Sequence, residues 1–226
     1  MSVKEALYIG FEVAETTIRA VASDGRRISV ARHSQDTPEE WLEMCLYGFG
    51  VSSLVGVSSL ICLGIATPVA MKAVNRGAII SAVSTRFYCT PYALARGVGW
   101  QDSAVAVVVE REAISVAVIR GCPPSHLEID TIHPAPTREA REIAVSVRCL
   151  LKAYPRGIAR GLLGHVCVAG DEAEIDRIGK HAIAKELSAM GATIRFPGDS
   201  HVIAAGAERL AYEHDFPPVK EAVVSE

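Results

Sequence analysis

Aromatic residues make up only 6% of this 226-residue chain, although half of its residues are hydrophobic. Its core must then be assembled from Ala, Val, Ile and Leu, the material of α/β proteins whose sheets are covered on both faces. An excess of one charge is also missing. The formal net charge is −3, which gives no overall electrostatic drive toward nucleic acid or anionic membranes. The six cysteines, Cys45, Cys62, Cys89, Cys122, Cys149 and Cys167, never come closer than 17 residues. That spacing excludes a CxxC redox pair and clustered zinc ligands. Their apolar surroundings read as small buried residues in a reducing compartment. The opening residues lack the basic-then-apolar pattern of a secretory signal, so a cytoplasmic location is expected. Charge is absent altogether between Glu43 and Lys72, a stretch long enough to span a bilayer. Gly48, Gly50, Gly56, Gly64 and Pro68 punctuate it, so the expected reading is a helix end, a Gly/Ser loop and a buried strand. Membrane association of 44–71 is the alternative.

What the chain does have is a pattern of elements that occurs twice. Residues 6–14, 17–23 and 27–32 read as three strands, with Asp24-Gly25 as a tight turn between the second and third. Asp36 or Thr37 as N-cap, Pro38 in the first turn and Glu39-Glu40 beside the positive helix end predict a helix to about Tyr47. Strands over 60–66 and 78–83 and a helix over 91–96, stopped by Gly97, complete the first half. The second half predicts strands over 103–109, 113–120 and 126–132, then a helix over 138–153 capped by Thr137. A strand over 166–169, one amphipathic helix over 172–190, a strand over 193–196 and a helix over 201–212 follow. The order β-β-β-α-β-α is thus repeated. It implies an α/β fold of two lobes, 1–98 and 99–214, facing each other across a cleft, with a frayed tail over 215–226. A plain α/β domain without duplication is the other arrangement the pattern allows.

Four segments carry a resemblance. Ile9-Gly-Phe-Glu-Val-Ala-Glu-Thr-Thr-Ile-Arg is similar to a first phosphate hairpin, apolar-Asp-apolar-Gly-Gly/Ser-Thr followed by a strand. Thr90-Pro-Tyr-Ala-Leu-Ala-Arg-Gly is similar to a connecting helix of the form Glu-Pro-x-Ala-Ala-x-Ala-x-Gly, with Thr90 in place of the Glu. Its small Ala93, Ala95 and Gly97 suit a helix packed closely on a counterpart. Residues 104–119 resemble a second phosphate hairpin whose Gly-rich turn is replaced by Glu110-Arg111-Glu112. Val166-Cys-Val-Ala-Gly-Asp-Glu and Ala204-Ala-Gly-Ala-Glu resemble an adenosine segment and its closing helix. In this order the segments resemble the actin-like ATPase superfamily of sugar and acetate kinases, heat-shock chaperone ATPase domains and actins, over roughly residues 6–212. The second half, with one helix between hairpin and adenosine strand, is most similar to the compact pilus-assembly and chaperone-like members.

That resemblance implies a ribonuclease H-like/actin-like fold with a nucleotide cleft. It places Glu12 where a carboxylate organises hydrated Mg²⁺, which makes Glu12 the candidate catalytic and metal-binding residue. Thr16 and Thr17 fall near the phosphate-contacting hydroxyl, and Gly170, Asp171 and Gly206 fall in the adenosine segment. The implied cofactor is ATP or ADP with Mg²⁺, or none. Glu15, Glu110, Glu112, Asp171 and Glu172 would converge with Glu12 on a polyanion, offset only by Arg111 and by Lys180 or Arg86. The 110–112 run otherwise reads as a solvated charge cluster. The expected role is therefore a non-catalytic or weakly nucleotide-binding scaffold or regulatory partner, acting with a protein partner or as a homo-oligomer. The alternative is a diverged ATP-dependent kinase or ATPase using Glu12. A third reading rests on 47–57, where Gly48, Gly50, Ser53 and Gly56 resemble a Gly-rich segment of the small tRNA threonylcarbamoyladenosine-biosynthesis subunit, a non-catalytic member. No Ser-His-Asp arrangement is present in the sequence pattern. His165 and His201 are isolated candidates for lining the cleft.

Overall fold

The computed structural model describes residues 7–14, 16–33, 38–50, 61–67, 84–100, 103–111, 113–120, 126–132 and 139–215. The first half contains β1 (Leu7–Val13), β2 (Thr17–Ala22), β3 (Arg27–Ala31), α1 (Pro38–Gly48), β4 (Ile61–Thr67), β5 (Ser84–Cys89) and α2 (Thr90–Gly97). The second contains β6 (Ala104–Val109), β7 (Ile114–Arg120), β8 (His126–Ile132), α3 (Ala140–Leu151), α4 (Arg156–Leu163) and β9 (Val166–Gly170). It ends with α5 (Glu172–Ile178), α6 (Lys180–Ser188), β10 (Ile194–Arg195) and α7 (Val202–Asp215).

The strands form two five-stranded sheets of matching plan, β3-β2-β1-β4-β5 and β8-β7-β6-β9-β10. In each, two antiparallel hairpin pairings are followed by parallel additions on the other side of the first strand. The apolar runs explain this. β1 and β6 are central and buried on both faces, as uninterrupted hydrophobic strands require.

Period-two alternation assigns those faces. Ile9, Phe11 and Val13 pack under α1 with Trp41, Leu42 and Leu46. Val105, Val107 and Val109 pack under α3 and α6 with Ile143, Val147, Ile183 and Leu187. The opposite faces are lined by small residues, among them Ala66, Ala106, Cys167 and Ala169, and these meet α2 and α7 in one shared core. A Cβ added at Gly10 or Gly64 would lie under 3.0 Å from the α7 backbone, so α7 rests almost directly on β1 and β4. The close helix approach expected from Ala93, Ala95 and Gly97 is present: Gly97 meets the Val202 carbonyl, and Gly206 meets Ala93 and Gly97. Arg96, nearly buried, pairs with Glu213, and Arg209 donates to the Arg96 carbonyl, which ties the two helices side by side.

Several sequence expectations are corrected. The expected helix over 172–190 is two helices, because Gly179 adopts φ 94° between them, a conformation that breaks the helical ladder. Two helices, not one, separate β8 from β9: after a short turn ending at Pro155, the chain forms α4. The fifth strand is Ser84–Cys89; the expected 78–83 strand, the Asp36/Thr37 and Thr137 caps, and the tail beyond Asp215 lie outside the described residues. Among the described residues no helix is long and apolar enough to cross a membrane.

The described cysteines form no disulfide. Cys45 and Cys167 are buried, and burial pushes their thiols up to about 11 and about 12. Cys149 is exposed on α3. A thiol reagent at pH 8 is therefore expected to modify Cys149 in the native protein and to reach Cys45 and Cys167 only after denaturation, as read by peptide mass spectrometry. Native modification of Cys167 at the rate of Cys149 would contradict the packing described above.

Candidate functional site

The site begins with Glu12, the one charged residue of β1. Alternation turns it, with Tyr8 and Gly10, toward α7 and away from Trp41. Its cross-strand partner in the β1–β2 register is Arg19, and Arg19 Nη1 lies 3.1 Å from Glu12 Oε2. Glu12 is only 3% exposed. Burial pushes Glu12 up to about 7; Arg19 pulls it back, and the nearby Asp171 carboxylate adds a smaller push in the same direction as burial.

Across from Glu12 stands the end of β9. Gly170 has φ 131°, and a Cβ there would strike the Val109 backbone at under 3.0 Å. Only glycine lets the strand close on β6 and turn into α5. Asp171 N then donates to the Val109 carbonyl at 2.7 Å, and the Asp171 side chain caps α5 by accepting from Glu174 N at 3.1 Å. A cavity of about 30 Å³ opens here, lined by Glu12, Ala169, Gly170, Glu172, Lys180 and the 196–203 segment. It has room for a water or two.

One wall of this cavity is stapled to the first sheet. Asp199 pairs with Arg27 at 2.8 Å, and His201 Nε2 lies 3.0 Å from Ser29 Oγ and 3.3 Å from the Ile28 carbonyl. His201 thus sits between β3 and the start of α7. His165 is instead exposed beside the Trp100 ring.

The two hairpins have the same closure. Ala14 N donates to Thr17 O at 3.0 Å, and Glu110 N donates to Ala113 O at 2.9 Å, each spanning a two-residue turn. The registers then equate Glu12 with Val108 and Arg19 with Ser115. The second hairpin therefore carries no carboxylate where the first has one. Thr16 is exposed on its turn, and Thr17 is half-buried as the first residue of β2. Arg32, the residue after β3, covers that turn, its backbone N donating to Thr16 O and its side chain to Ala14 O.

Of the expected converging charges, Glu12, Glu172 and Lys180 line the cavity and Asp171 acts on Glu12. Glu15 and Glu112 lie outside the described residues. Glu110 is a correction. It is buried, not solvated, because it occupies the closing pair of the hairpin on the face of Ala106 and Val108. Arg111 is exposed, Arg86 is held by Asp215 at the far end of α7, and the cation that acts on Glu12 is Arg19. Gly206 lies in the α2–α7 crossing. Sequence reading missed Arg19. Its signal was available, since a two-residue turn closed by Ala14 and Thr17 puts residue 19 opposite residue 12.

Two sheets of the same strand order, joined through a shared pair of helices and a hairpin-flanked cavity, define an actin-like ATPase fold. Protein-family models and curated protein sequences give no match to the chain. Among solved structures it is similar to a non-polymerising mutant of MamK bound to AMPPNP, with TM-score 0.64 and 13% identity over 93% of this chain and 100% of that one. It is likewise similar to MreB 5 of Spiroplasma citri bound to AMPPNP, with TM-score 0.63 and 9% identity over 93% and 97%. A third similar structure is the ethanolamine utilization protein EutJ from Carboxydothermus hydrogenoformans, with TM-score 0.58 and 13% identity over 92% and 91%.

Proposed function

We propose that this chain is an actin-like protein that binds nucleotide weakly or not at all and acts as a scaffold or regulatory partner. Lobes 1–98 and 99–214 are the natural units of that reading. The observation that carries it is the pairing of buried Glu12 with Arg19 beside a cavity that, among the described residues, has a volume of about 30 Å³. A carboxylate that organises hydrated Mg²⁺ needs free oxygen ligands and water. Glu12 instead spends its charge on a guanidinium, and the second hairpin offers Val108 and the Glu110-Arg111-Glu112 run in place of acid and glycines. In this reading the described donor set, one carboxylate already paired with an arginine, suits a Mg²⁺–nucleotide poorly.

Self-association suits the same reading, since MamK forms a double helical filament. Titration calorimetry with ATP and Mg²⁺ is expected to give no heat, and the melting temperature no shift. Submillimolar binding that Glu12→Ala abolishes would overturn the proposal in favour of a diverged ATPase or phosphotransferase, in which Lys180 is the cation that lines the same cavity.

A further inference from the structure

Away from the Glu12 cavity, the stretch from α3 through α4 after Glu142 carries evenly spaced cations and no acidic residue. No acidic residue occurs between Glu142 and Asp171, while Arg148, Lys152, Arg156 and Arg160 recur every fourth residue through a net-negative protein. The turn between α3 and α4 folds this run around a cavity of about 410 Å³, within the size range of ligand and side-chain pockets. Arg148, Lys152 and Arg156 form its cationic rim, and all three are exposed. Leu151, Leu163 and Met190 form an apolar floor. Arg120 lies over the Tyr154 ring at 5.7 Å, which adds a further cation behind the wall.

This combination selects among occupants. A bare anion would satisfy the rim and leave the apolar floor wet. A membrane surface needs protruding apolar side chains, and exposed α4 presents one large one, Ile158, beside Gly157 and Gly161. An open, shallow apolar floor beside a basic rim suits an extended segment with carboxylates flanking an apolar side chain. We infer that the α3–α4 cavity docks an acidic peptide segment of a protein partner, with an apolar side chain on the Leu151–Leu163–Met190 floor and carboxylates at Arg148, Lys152 and Arg156. The inference gives the scaffold reading a partner chemistry and rests on that reading for its biological sense. Its test is independent, because nucleotide calorimetry does not touch this surface.

The test is fluorescence anisotropy with two short labelled peptides, one of Glu, Asp, Leu and Phe and one of Glu, Asp and Ser with equal charge. The first is expected to bind, to weaken with added salt, and to lose about tenfold in affinity to R148E/R156E. R148K/R156K keeps most of it. The second peptide is expected to bind several-fold more weakly. Circular dichroism and melting confirm that the exposed charge reversals leave the fold intact. Absence of binding, equal binding of both peptides, or equal binding by R148E/R156E overturns the inference. Arginine-dependent co-sedimentation with phosphatidylglycerol vesicles, without peptide binding, overturns it in favour of a membrane surface.

Discussion

Gly206→Ala is expected to destabilise the protein by about 3–5 kcal/mol, a loss of roughly 10 °C or more in melting temperature. The chemistry of the substitution is trivial, since alanine is the better helix former. The penalty is geometric. The new Cβ would fall under 3.0 Å from the Ala93 carbonyl and from the Gly97 amide nitrogen, both main-chain atoms of α2 that cannot rotate aside. Relief requires α2 and α7 to separate along their length, loosening the core shared by both sheets. Gly157→Ala is the matched control. Gly157 lies in α4 with nothing within 4 Å of an added Cβ, so helix propensity alone acts there and the variant gains about 0.5–1 kcal/mol. Urea denaturation of the two variants measures the contrast. A small loss for Gly206→Ala, near that of an ordinary surface change, would mean that the helices do not cross as described.

The second large effect concerns Arg19→Met. It leaves the Glu12 carboxylate buried without its counter-charge, which is expected to cost about 1–2 kcal/mol at pH 8, the limit set by Glu12 taking up a proton instead. At pH 5 the loss is much smaller, because Glu12 then holds a proton and needs no cation. In the wild type Glu12 is raised from 4.5 to about 7. Between those values the folded state binds more protons at this site than the unfolded chain does. The Glu12 contribution to stability therefore falls as pH rises through this window and levels off above it. Glu12→Gln removes that slope, and the double variant Glu12→Gln/Arg19→Met recovers most of the stability lost by Arg19→Met alone. Denaturation curves at pH 5 and pH 8 decide the matter. An Arg19→Met loss of the same size at both pH values would show that the arginine acts by packing and not by charge.

The sheets were largely legible because their physics is local. Runs such as Ala104–Val109 are too apolar to be anything but buried strands, and Asp24-Gly25 marks its turn by chemistry alone. Helix continuity was harder. Gly179 sits in an amphipathic pattern that continues on both sides, and only its backbone conformation divides α5 from α6. α4 is short, carries two glycines and begins after Pro155, so its propensity is weak and its helix is held by Leu162 reaching the core. At the candidate site, Glu12 was legible as a charge in an apolar strand and Arg19 could have been placed from its local hairpin turn, whereas Asp199 and the burial of Glu110 were not legible. Those depend on register and on how the 196–203 segment closes over β3, which are long-range facts.

The crossing of α2 and α7 also sets an order of events during synthesis. Gly10 and Gly64, near the start of the chain, receive their covering helix from residues 202–215. A nascent chain that has emerged only through β9 thus holds a first sheet with one face unroofed, its small residues and the Glu12–Arg19 pair open to solvent. The earliest strands made become the last to be sealed, and a ribosome stalled anywhere before α7 would display a half-covered sheet to chaperones and proteases.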